Sequence, residues 1–349
     1  MLSNRYKYDD VPILKLNELQ LETKKLLNKK VTEGIYKFET VPCLVCGNEN
    51  KFEVLAEKDR YGLRNQTVVC ENCGLVQSNP RFTQESFNQF YNIEYRALYN
   101  GKETASDLFF NQQKFRGEII YSILNRFSEF NNLKKPFVLE VGCASGGILQ
   151  VFKEKGCTIK GIDLGEEYVK YGIEKHNLDL EIGSLNDLSF LQKPDVIIYS
   201  NVLEHLTNPL AELHLIRSVL NPSGLLFIEV PGIKNIHINY RSDFLLYLQN
   251  AHVYHFSSTT LTNILVKAGY NPLYKDEYIR SVSKIGEQLI FRPENDYPLV
   301  LNYLKEKEQK RSVYLFTFYG IKETLLSIGL KVASLVGLRG VLRRVRKLF

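Results

Sequence analysis

Apolar strand-like runs alternate with helical stretches from residue 137 onward, and this alternation restricts the possible fold most strongly. The runs that predict strands are residues 137–141, 158–162, 180–183, 195–200 and 224–230. Helical patterns lie between them, at residues 146–155, 166–176 and 209–220. Strands that alternate with helices form a parallel sheet covered on both faces. The sequence therefore predicts a doubly wound α/β domain.

Two more strand-like runs, 273–280 and 286–291, follow a predicted helix at 259–268. Only five residues join the two runs, which is too few for a crossover helix, so these strands must pair antiparallel. The expected fold is a Rossmann-like, doubly wound, seven-stranded sheet with an antiparallel closing hairpin. A six-stranded parallel dinucleotide fold lacks this hairpin.

A glycine-rich loop, EVGCASGG, starts with Glu140 at the end of the first predicted strand. Asp163 ends the second strand, 21 residues after Gly142. Glycines let the backbone turn tightly and let a ligand approach the amides, and the acid can hold both hydroxyls of a ribose. The loop also resembles a degraded NAD fingerprint. Glu140 suits a cationic ammonium, and together with the closing hairpin it favours S-adenosylmethionine.

Four of the six cysteines form two CxxCG pairs, separated by 23 residues. Two such knuckles supply four thiolates to one tetrahedral zinc ion, which leaves no open position for catalysis. Redox motifs or disulfides are the alternative reading. We predict a structural Zn²⁺ site in a small ribbon at residues 39–80, with the ligands Cys43, Cys46, Cys70 and Cys73.

The remaining segments are assigned from their patterns. Residues 1–38 are expected to be helical, and residues 81–135 form a helical, aromatic-rich linker in which Tyr95 and Arg96 lie on a face that can cover a pocket and contact substrate. The catalytic domain is expected at 136–292. Residues 293–349 form a basic amphipathic tail, whose part from Arg311 has a net charge of +7. Such a tail can contact an anionic membrane, a partner or the protein itself.

The overall charge of +6 thus comes from the tail, and the near-neutral body gives no reason to expect nucleic acid binding. The N-terminus lacks the apolar run of a secretory signal, and no stretch of 18 uncharged apolar residues occurs. We expect a cytoplasmic protein, with peripheral contact at the inner membrane face as a possible role of the tail.

The motifs EVGCASG, GID, SNVLEHL and LNPSGLLFIEVP resemble those of class I S-adenosylmethionine-dependent methyltransferases. With the double knuckle before them and HVYHFSSTTL after them, they are similar to bacterial methyltransferases of sugar and surface-polysaccharide synthesis. The resemblance includes sugar C-methyltransferases, but the large third domain of those enzymes is absent. It implies methyl transfer to a sugar or glycan intermediate, with O-, C- or N-methylation open.

The resemblance implies roles for individual residues. Glu140, Gly142 and Gly146 would line the methionine end of the cofactor, and Asp163 would hold the ribose. Ser184 and Leu185 would lie beside the adenine, and Asn201 near the methionine.

The segment Glu204-His205 follows the fourth strand, where ligands bind in open α/β sheets. Histidine can remove the proton of the acceptor. A packing role for this pair is the alternative. His252 and His255 either line the same pocket or cap a helix turn.

Three other functions remain open at this point. An NAD-dependent oxidoreductase would bind nicotinamide cofactor, and an RNA methyltransferase would use the zinc ribbon to contact RNA. A non-catalytic assembly factor would keep the fold and show no turnover.

Overall fold

The computed structural model describes residues 1–100, 105–189, 191–276, 278–287, 291–316 and 321. In these residues the strands are β1 (Phe38–Glu39), β2 (Phe52–Lys58), β3 (Arg64–Cys70), β4 (Val76–Ser78), β5 (Arg81–Phe82), β6 (Phe137–Val141), β7 (Thr158–Asp163), β8 (Leu180–Ile182), β9 (Val196–Ser200), β10 (Leu225–Glu229), β11 (Tyr254–His255), β12 (Tyr270–Lys275) and β13 (Arg280–Ile285). The α-helices are α1 (Glu18–Thr32), α2 (Gln84–Ile93), α3 (Tyr95–Asn100), α4 (Asp107–Leu124), α5 (Ser128–Asn131), α6 (Gly147–Glu154), α7 (Glu166–His176), α8 (Pro209–Val219), α9 (Ile236–Asn239), α10 (Phe244–Tyr247), α11 (Ser258–Lys267) and α12 (Tyr297–Lys310).

A seven-stranded sheet with the order β12-β13-β10-β9-β6-β7-β8 forms the centre of the molecule. Strands β6 to β10 run parallel to one another, and β13 is antiparallel to both β10 and β12. The predicted fold class, a Rossmann-like sheet with an antiparallel closing hairpin, is confirmed.

The helical layers explain why the central strands are apolar on both faces. Every residue of β9 is buried, as are four of the five residues of β10. Helix α4 approaches α6 so closely that a Cβ on Gly147 would lie 2.4 Å from the carbonyl oxygen of Phe110. Helix α4 is therefore part of the layer that covers the sheet.

The closing hairpin lies several residues earlier than predicted. Its strands are β12 and β13, and the turn between them is held by the side chain of Asp276, which accepts hydrogen bonds from the backbone N–H (3.1 Å) and Nε (2.7 Å) of Arg280. The predicted turn is instead part of β13, because Ser281 and Ser283 are buried and their hydroxyls are 3.3 Å apart. These two serines therefore belong to the strand and not to the turn.

The N-terminal ribbon and the catalytic domain share a sheet and a core. Strands β2, β3 and β4 form an antiparallel sheet that is extended by β11, a strand from far along the chain. The hydrophobic cluster around Cys43 and Cys73 also contains Leu213 and Ile264 of helices α8 and α11. The ribbon is thus packed onto the catalytic domain.

Contacts with helix α1 hold helices α2 and α3 in position. Glu94, at the junction of α2 and α3, is buried and accepts hydrogen bonds from the Tyr36 hydroxyl (2.7 Å) and from the Lys30 ammonium. Lys30 lies in α1, which begins with a capping box between Asn17 and Gln20. The N-terminal segment therefore positions the aromatic helices that follow.

Helix α12 packs against the ribbon side, and a short 3-10 helix continues it to Phe316. Most of the predicted basic tail lies outside the described residues. Within the part of the chain that the structure describes, no helix is both long and apolar enough to cross a membrane.

Candidate cofactor and acceptor site

The glycine loop after β6 has the backbone geometry that its sequence predicts. Gly142 and Gly146 have φ angles of 73° and 75°, which favour glycine. At Gly142 a Cβ would also lie 2.3 Å from a methyl carbon of Val202. Ala144, where related loops have glycine, also has a positive φ of 45°. The loop therefore brings backbone amides to the start of α6, where a ligand can approach them.

Asp163, at the end of β7, ties this loop to the next one. Its two carboxylate oxygens accept hydrogen bonds from the backbone N–H groups of Ala144 (2.9 Å) and Gly165 (2.6 Å). The guanidinium of Arg96, on α3, lies 3.8 Å from the same carboxylate and stacks on Tyr168. The structure thus places Asp163, which is predicted to bind the ribose, next to Arg96, which is predicted to cover the pocket.

Glu140 is buried at the carboxyl end of β6, and its Oε2 atom has no hydrogen-bond partner among the described residues. Burial raises the pKa of this carboxyl well above its ordinary value, and nearby Asp163 raises the pKa further. A positively charged group is the ligand that would best compensate an ionised Glu140. The ammonium of S-adenosylmethionine, which the sequence predicts at this residue, is a group of that kind.

The remaining predicted cofactor residues lie along the same edge of the sheet. Ser184 follows β8 and donates hydrogen bonds from its N–H and hydroxyl to Asp187, both at 2.7 Å. Leu185 is buried in the core, so its backbone is the part available to an adenine. Asn201 follows β9 with a φ of 56°, and its N–H donates to the Glu229 carbonyl oxygen.

Gln113, on α4, supports the glycine loop and was not predicted. Its Nε2 donates to the Cys143 carbonyl oxygen (3.0 Å), and its Oε1 accepts from the hydroxyl of Ser145 (2.7 Å) and the N–H of Gly147 (3.3 Å). These bonds join residues about 30 positions apart, and no local sequence pattern indicates them.

Glu204 and His205 form a buried pair in a 3-10 turn after β9. His205 Nε2 lies 3.8 Å from Glu204 Oε1, and His252 Nε2 lies 3.9 Å from the same oxygen. The segment with His252 is held in place because the N–H of Val253 donates to the Glu204 carbonyl oxygen at 2.9 Å. The structure thus brings three of the predicted acceptor-side residues together.

Burial sets the protonation of this cluster. It raises the pKa of Glu204 to about 8, lowers that of His205 to about 4, and lowers that of His252 well below its ordinary value. His205 Nδ1 is 3.0 Å from the Ala251 carbonyl oxygen, so this nitrogen carries the proton and donates it. The lone pair of His205 is therefore on Nε2, on the side of Glu204.

Within the described residues, both carboxylate oxygens of Glu204 lack hydrogen-bond partners. The donor atoms of Glu204, His205 and His252 lie within 4.8 Å of one another, close enough for a cation. However, His252 Nε2 already contacts the carboxamide Nε2 of Gln249, and a metal ion would have to displace that contact. The arrangement is better suited to proton transfer.

Tyrosines of α2 and α3 cover the histidine pair. The rings of Tyr91 and Tyr95 stack at 4.1 Å, and both meet the His205 ring edge-on, at 5.8 and 5.9 Å. Tyr95 thus reaches the acceptor side while its neighbour Arg96 reaches Asp163. One short helix therefore contacts both halves of the site.

His255 lies farther from the carboxylate than the other two histidines. Its ring centroid is 6.1 Å from that of His252 and 5.1 Å from that of Tyr247, and burial lowers its pKa to about 3. Its backbone pairs with Val76 in the ribbon sheet. The structure places it behind His252, whereas His205 and His252 are the histidines that approach the Glu204 carboxylate.

The four ribbon cysteines form a compact cluster. The sulfur atoms of Cys43 and Cys73 are 3.4 Å apart and those of Cys46 and Cys70 are 3.5 Å apart, and all four lie within 4.8 Å of one another. These distances exclude disulfides. Thiolates at 2.3 Å from a tetrahedral zinc ion would be about 3.8 Å apart, so the cluster fits this metal.

Comparison with known proteins gives one family match. Residues 112–275 match the family model described as "Methyltransferase domain". A ubiquinone biosynthesis O-methyltransferase of Histophilus somni is 30% identical over 110 residues, which are 28% of this chain and 46% of that protein. The match therefore spans less than half of that relative's length.

Two further proteins are similar over longer segments. An uncharacterized methyltransferase of Staphylococcus carnosus is 26% identical over 173 residues, which are 48% of this chain and 77% of that protein. A solved S-adenosylmethionine-dependent methyltransferase from Clostridium acetobutylicum aligns with a TM-score of 0.39 and 13% identity, over 57% of this chain and 99% of that structure.

Proposed function

We propose that this chain transfers a methyl group from S-adenosylmethionine to a sugar or glycan intermediate, and the match of residues 112–275 to the methyltransferase family model supports the first part of this proposal. The observation that carries the proposal is a pair of buried carboxyl groups: within the described part of the chain, Glu140 Oε2 and both carboxylate oxygens of Glu204 have no hydrogen-bond partner. A cationic ligand compensates both groups, and S-adenosylmethionine carries an ammonium and a sulfonium.

Different residues of the chain bind the cofactor and accept the proton. S-adenosylmethionine supplies a methyl group already activated on its sulfonium. Glu140 holds the ammonium, and Asp163 holds the ribose hydroxyls, with Arg96 above it. Glu204, ionised when a cation is near, raises the pKa of His205 from its low value, since an opposite charge stabilises imidazolium. His205 Nε2 then accepts the acceptor proton.

The sugar acceptor rests on the resemblance of the motifs and on the tyrosine layer. Tyr91, Tyr95 and Tyr99 present apolar rings with polar hydroxyls, which suits a ligand that has both C–H and O–H groups. The ubiquinone O-methyltransferases among the relatives make a phenolic acceptor the second candidate.

Incubation with labelled S-adenosylmethionine and separate acceptors tests this proposal. We expect label transfer to nucleotide sugars or lipid-linked glycans. Transfer to catechol alone, or to RNA alone, would overturn the sugar acceptor, and the absence of cofactor binding would overturn the whole proposal.

Asp163→Ala tests the assignment of the cofactor half of the site. Loss of hydrogen bonds to ribose should weaken S-adenosylhomocysteine binding by about 1.5–3 kcal/mol. Asp179→Ala is the matched control, because Asp179 is exposed and its carboxylate lies 3.7 Å from the Lys160 ammonium. Calorimetry checks both variants, and unchanged affinity in Asp163→Ala would contradict the assignment.

We also propose that the four cysteines bind one structural zinc ion. Each sulfur is a ligand, so no position is open for substrate. Lys267, on α11, donates hydrogen bonds to the carbonyl oxygens of Leu44 and Val45 at 2.9 Å, which fixes the first knuckle to the catalytic domain.

A further inference from the structure

Arg60 lies in the turn between β2 and β3, beside the acceptor half of the site. Its guanidinium donates hydrogen bonds to the Tyr61 hydroxyl (3.1 Å) and to Gln249 Oε1. The guanidinium carbon lies 5.1 and 5.3 Å from the ring centroids of Tyr61 and Tyr99. Arg60 is thus a cation held among aromatic rings.

Two donors in this cluster have no acceptor among the residues that the structure describes. They are Arg60 Nε and the Tyr99 hydroxyl, and both are shielded from solvent. Buried polar groups normally have partners, because an unsatisfied donor is costly. Two unsatisfied donors on touching side chains therefore indicate a ligand with acceptor atoms.

The charge of Arg60 is not met by a direct ion pair. Within the described parts of the chain, no carboxylate lies within 4 Å of this guanidinium. Its sequence neighbour Asp59 is close enough to interact electrostatically. The oxygens of Asp59, however, accept hydrogen bonds from the N–H groups of Tyr61, Leu63 and Asn250. The guanidinium is left available for an anion.

Arg60 is connected to the proton-transfer residues in two ways. Gln249, which accepts from Arg60 through Oε1, contacts His252 through its Nε2. The ring of Tyr99, which lies beside the Arg60 guanidinium, has its centroid 4.6 Å from that of the Tyr95 ring. The Tyr95 ring in turn contacts the His205 ring. Two series of contacts therefore link Arg60 to the residues for which we propose proton transfer.

We propose that Arg60 Nε and the Tyr99 hydroxyl bind an anionic group of the acceptor, a phosphate or a carboxylate. That the bound molecule is a methyl acceptor rests on the methyltransferase function proposed above. A neutral hydroxyl would satisfy the donors but not the charge of the guanidinium, whereas phosphate or carboxylate oxygens satisfy both.

Calorimetry with simple probes tests the anion site, in the presence of saturating S-adenosylhomocysteine. Glucose 1-phosphate and glucuronate are the two anionic probes, and glucose is the neutral one. The wild-type chain should bind at least one anionic probe about tenfold more tightly than glucose, and the better probe tells phosphate from carboxylate.

Substitutions of Arg60 and Tyr99 test whether these two residues bind the anion. Arg60→Gln should remove most of the preference for the anion, and Tyr99→Phe should reduce the affinity several-fold while keeping the ring. Arg64→Gln is the matched control, because Arg64 is exposed and stacks on Tyr8. Should Arg60→Gln fail to fold, the wild type and Tyr99→Phe decide the question.

The proposal is overturned when the wild type binds neither anionic probe better than glucose, or when Tyr99→Phe and a folded Arg60→Gln both keep the wild-type preference. Binding of S-adenosylhomocysteine is measured separately in the same samples. Its absence would contradict the methyltransferase function, whereas its presence without anion binding would contradict only the Arg60 site.

Discussion

Glu204 is a buried carboxyl group whose pKa of about 8 makes the stability of the unliganded protein depend on pH. Because the folded-state pKa lies above the unfolded value of about 4.3, the folded state holds this proton more tightly. The resulting stabilisation is complete below about pH 4 and is lost as the pH rises through 8. Ionisation without a cation nearby therefore destabilises the fold.

Glu204→Gln should remove this dependence. At pH 9 the unliganded variant should melt about 4 °C or more above the wild type, with a smaller difference at pH 5. Thermal melts at both pH values measure this. The cofactor should stabilise the wild type more than the variant, since only the wild type gains an ion pair. An equal difference in melting temperature at both pH values would contradict the role assigned to burial.

His205 is expected to act as the base through Nε2. His205→Asn keeps polarity and approximate size but cannot accept a proton at neutral pH. It should lower turnover by about 10²- to 10⁴-fold with little change in cofactor affinity. His214→Asn is the control, because His214 is exposed on α8. Near-normal turnover of a folded His205→Asn variant would eliminate this base.

At the scale of elements, the cysteine ribbon supports the catalytic domain through β11. This strand carries Tyr254 and His255 and pairs with β4, which follows the second knuckle. Loss of the metal should loosen β4 and, with it, the segment that contains His252. A structural metal site can thus affect the acceptor side without contacting it.

Cys46→Ser and Cys73→Ser should therefore lower stability and solubility more than they lower the cofactor affinity of the protein that remains folded. Metal analysis of gently purified wild-type protein should find one zinc ion per chain. Cys157→Ser is the control, because Cys157 lies outside the cluster. A metal-free wild type that remains stable would contradict the zinc assignment.

Local patterns predict the elements well because each depends on neighbouring residues. The glycine loop, Asp163 and the Glu204-His205 turn follow from strand ends that meet at one edge of the sheet. Gln113, Gln249 and Arg60 could not be predicted, since their contacts join distant segments. The hairpin was misplaced because buried serines in a strand look like turn residues.

At the scale of the whole molecule, the ribbon, the aromatic helices and the sheet form one connected structure. Lys267 links α11 to the first knuckle, and Arg81 of β5 donates to the Thr207 carbonyl oxygen at 2.6 Å and to the Tyr254 hydroxyl at 2.8 Å. The acceptor side is built from all three parts. We therefore expect the ribbon and the catalytic domain to unfold together.

The basic C-terminal tail is the remaining part for which we propose a role. Its part from Arg311 has a net charge of +7, and its basic residues are spaced among apolar runs. We propose that it contacts anionic membrane surfaces, because basic residues near a lipid surface are attracted by anionic headgroups while apolar side chains enter the interface.

Deleting residues 317–349 should abolish cosedimentation with anionic vesicles and leave binding of S-adenosylhomocysteine intact. The deletion keeps Tyr314, which is buried. Neutral vesicles should bind the full chain weakly, and added salt should weaken binding to anionic vesicles, since it screens exposed charges. Replacing Arg343, Arg344, Arg346 and Lys347 with alanine separates charge from apolar contact. Equal vesicle binding by the truncated chain would exclude the proposal, and a truncated chain that does not fold would indicate that the tail docks on the protein itself.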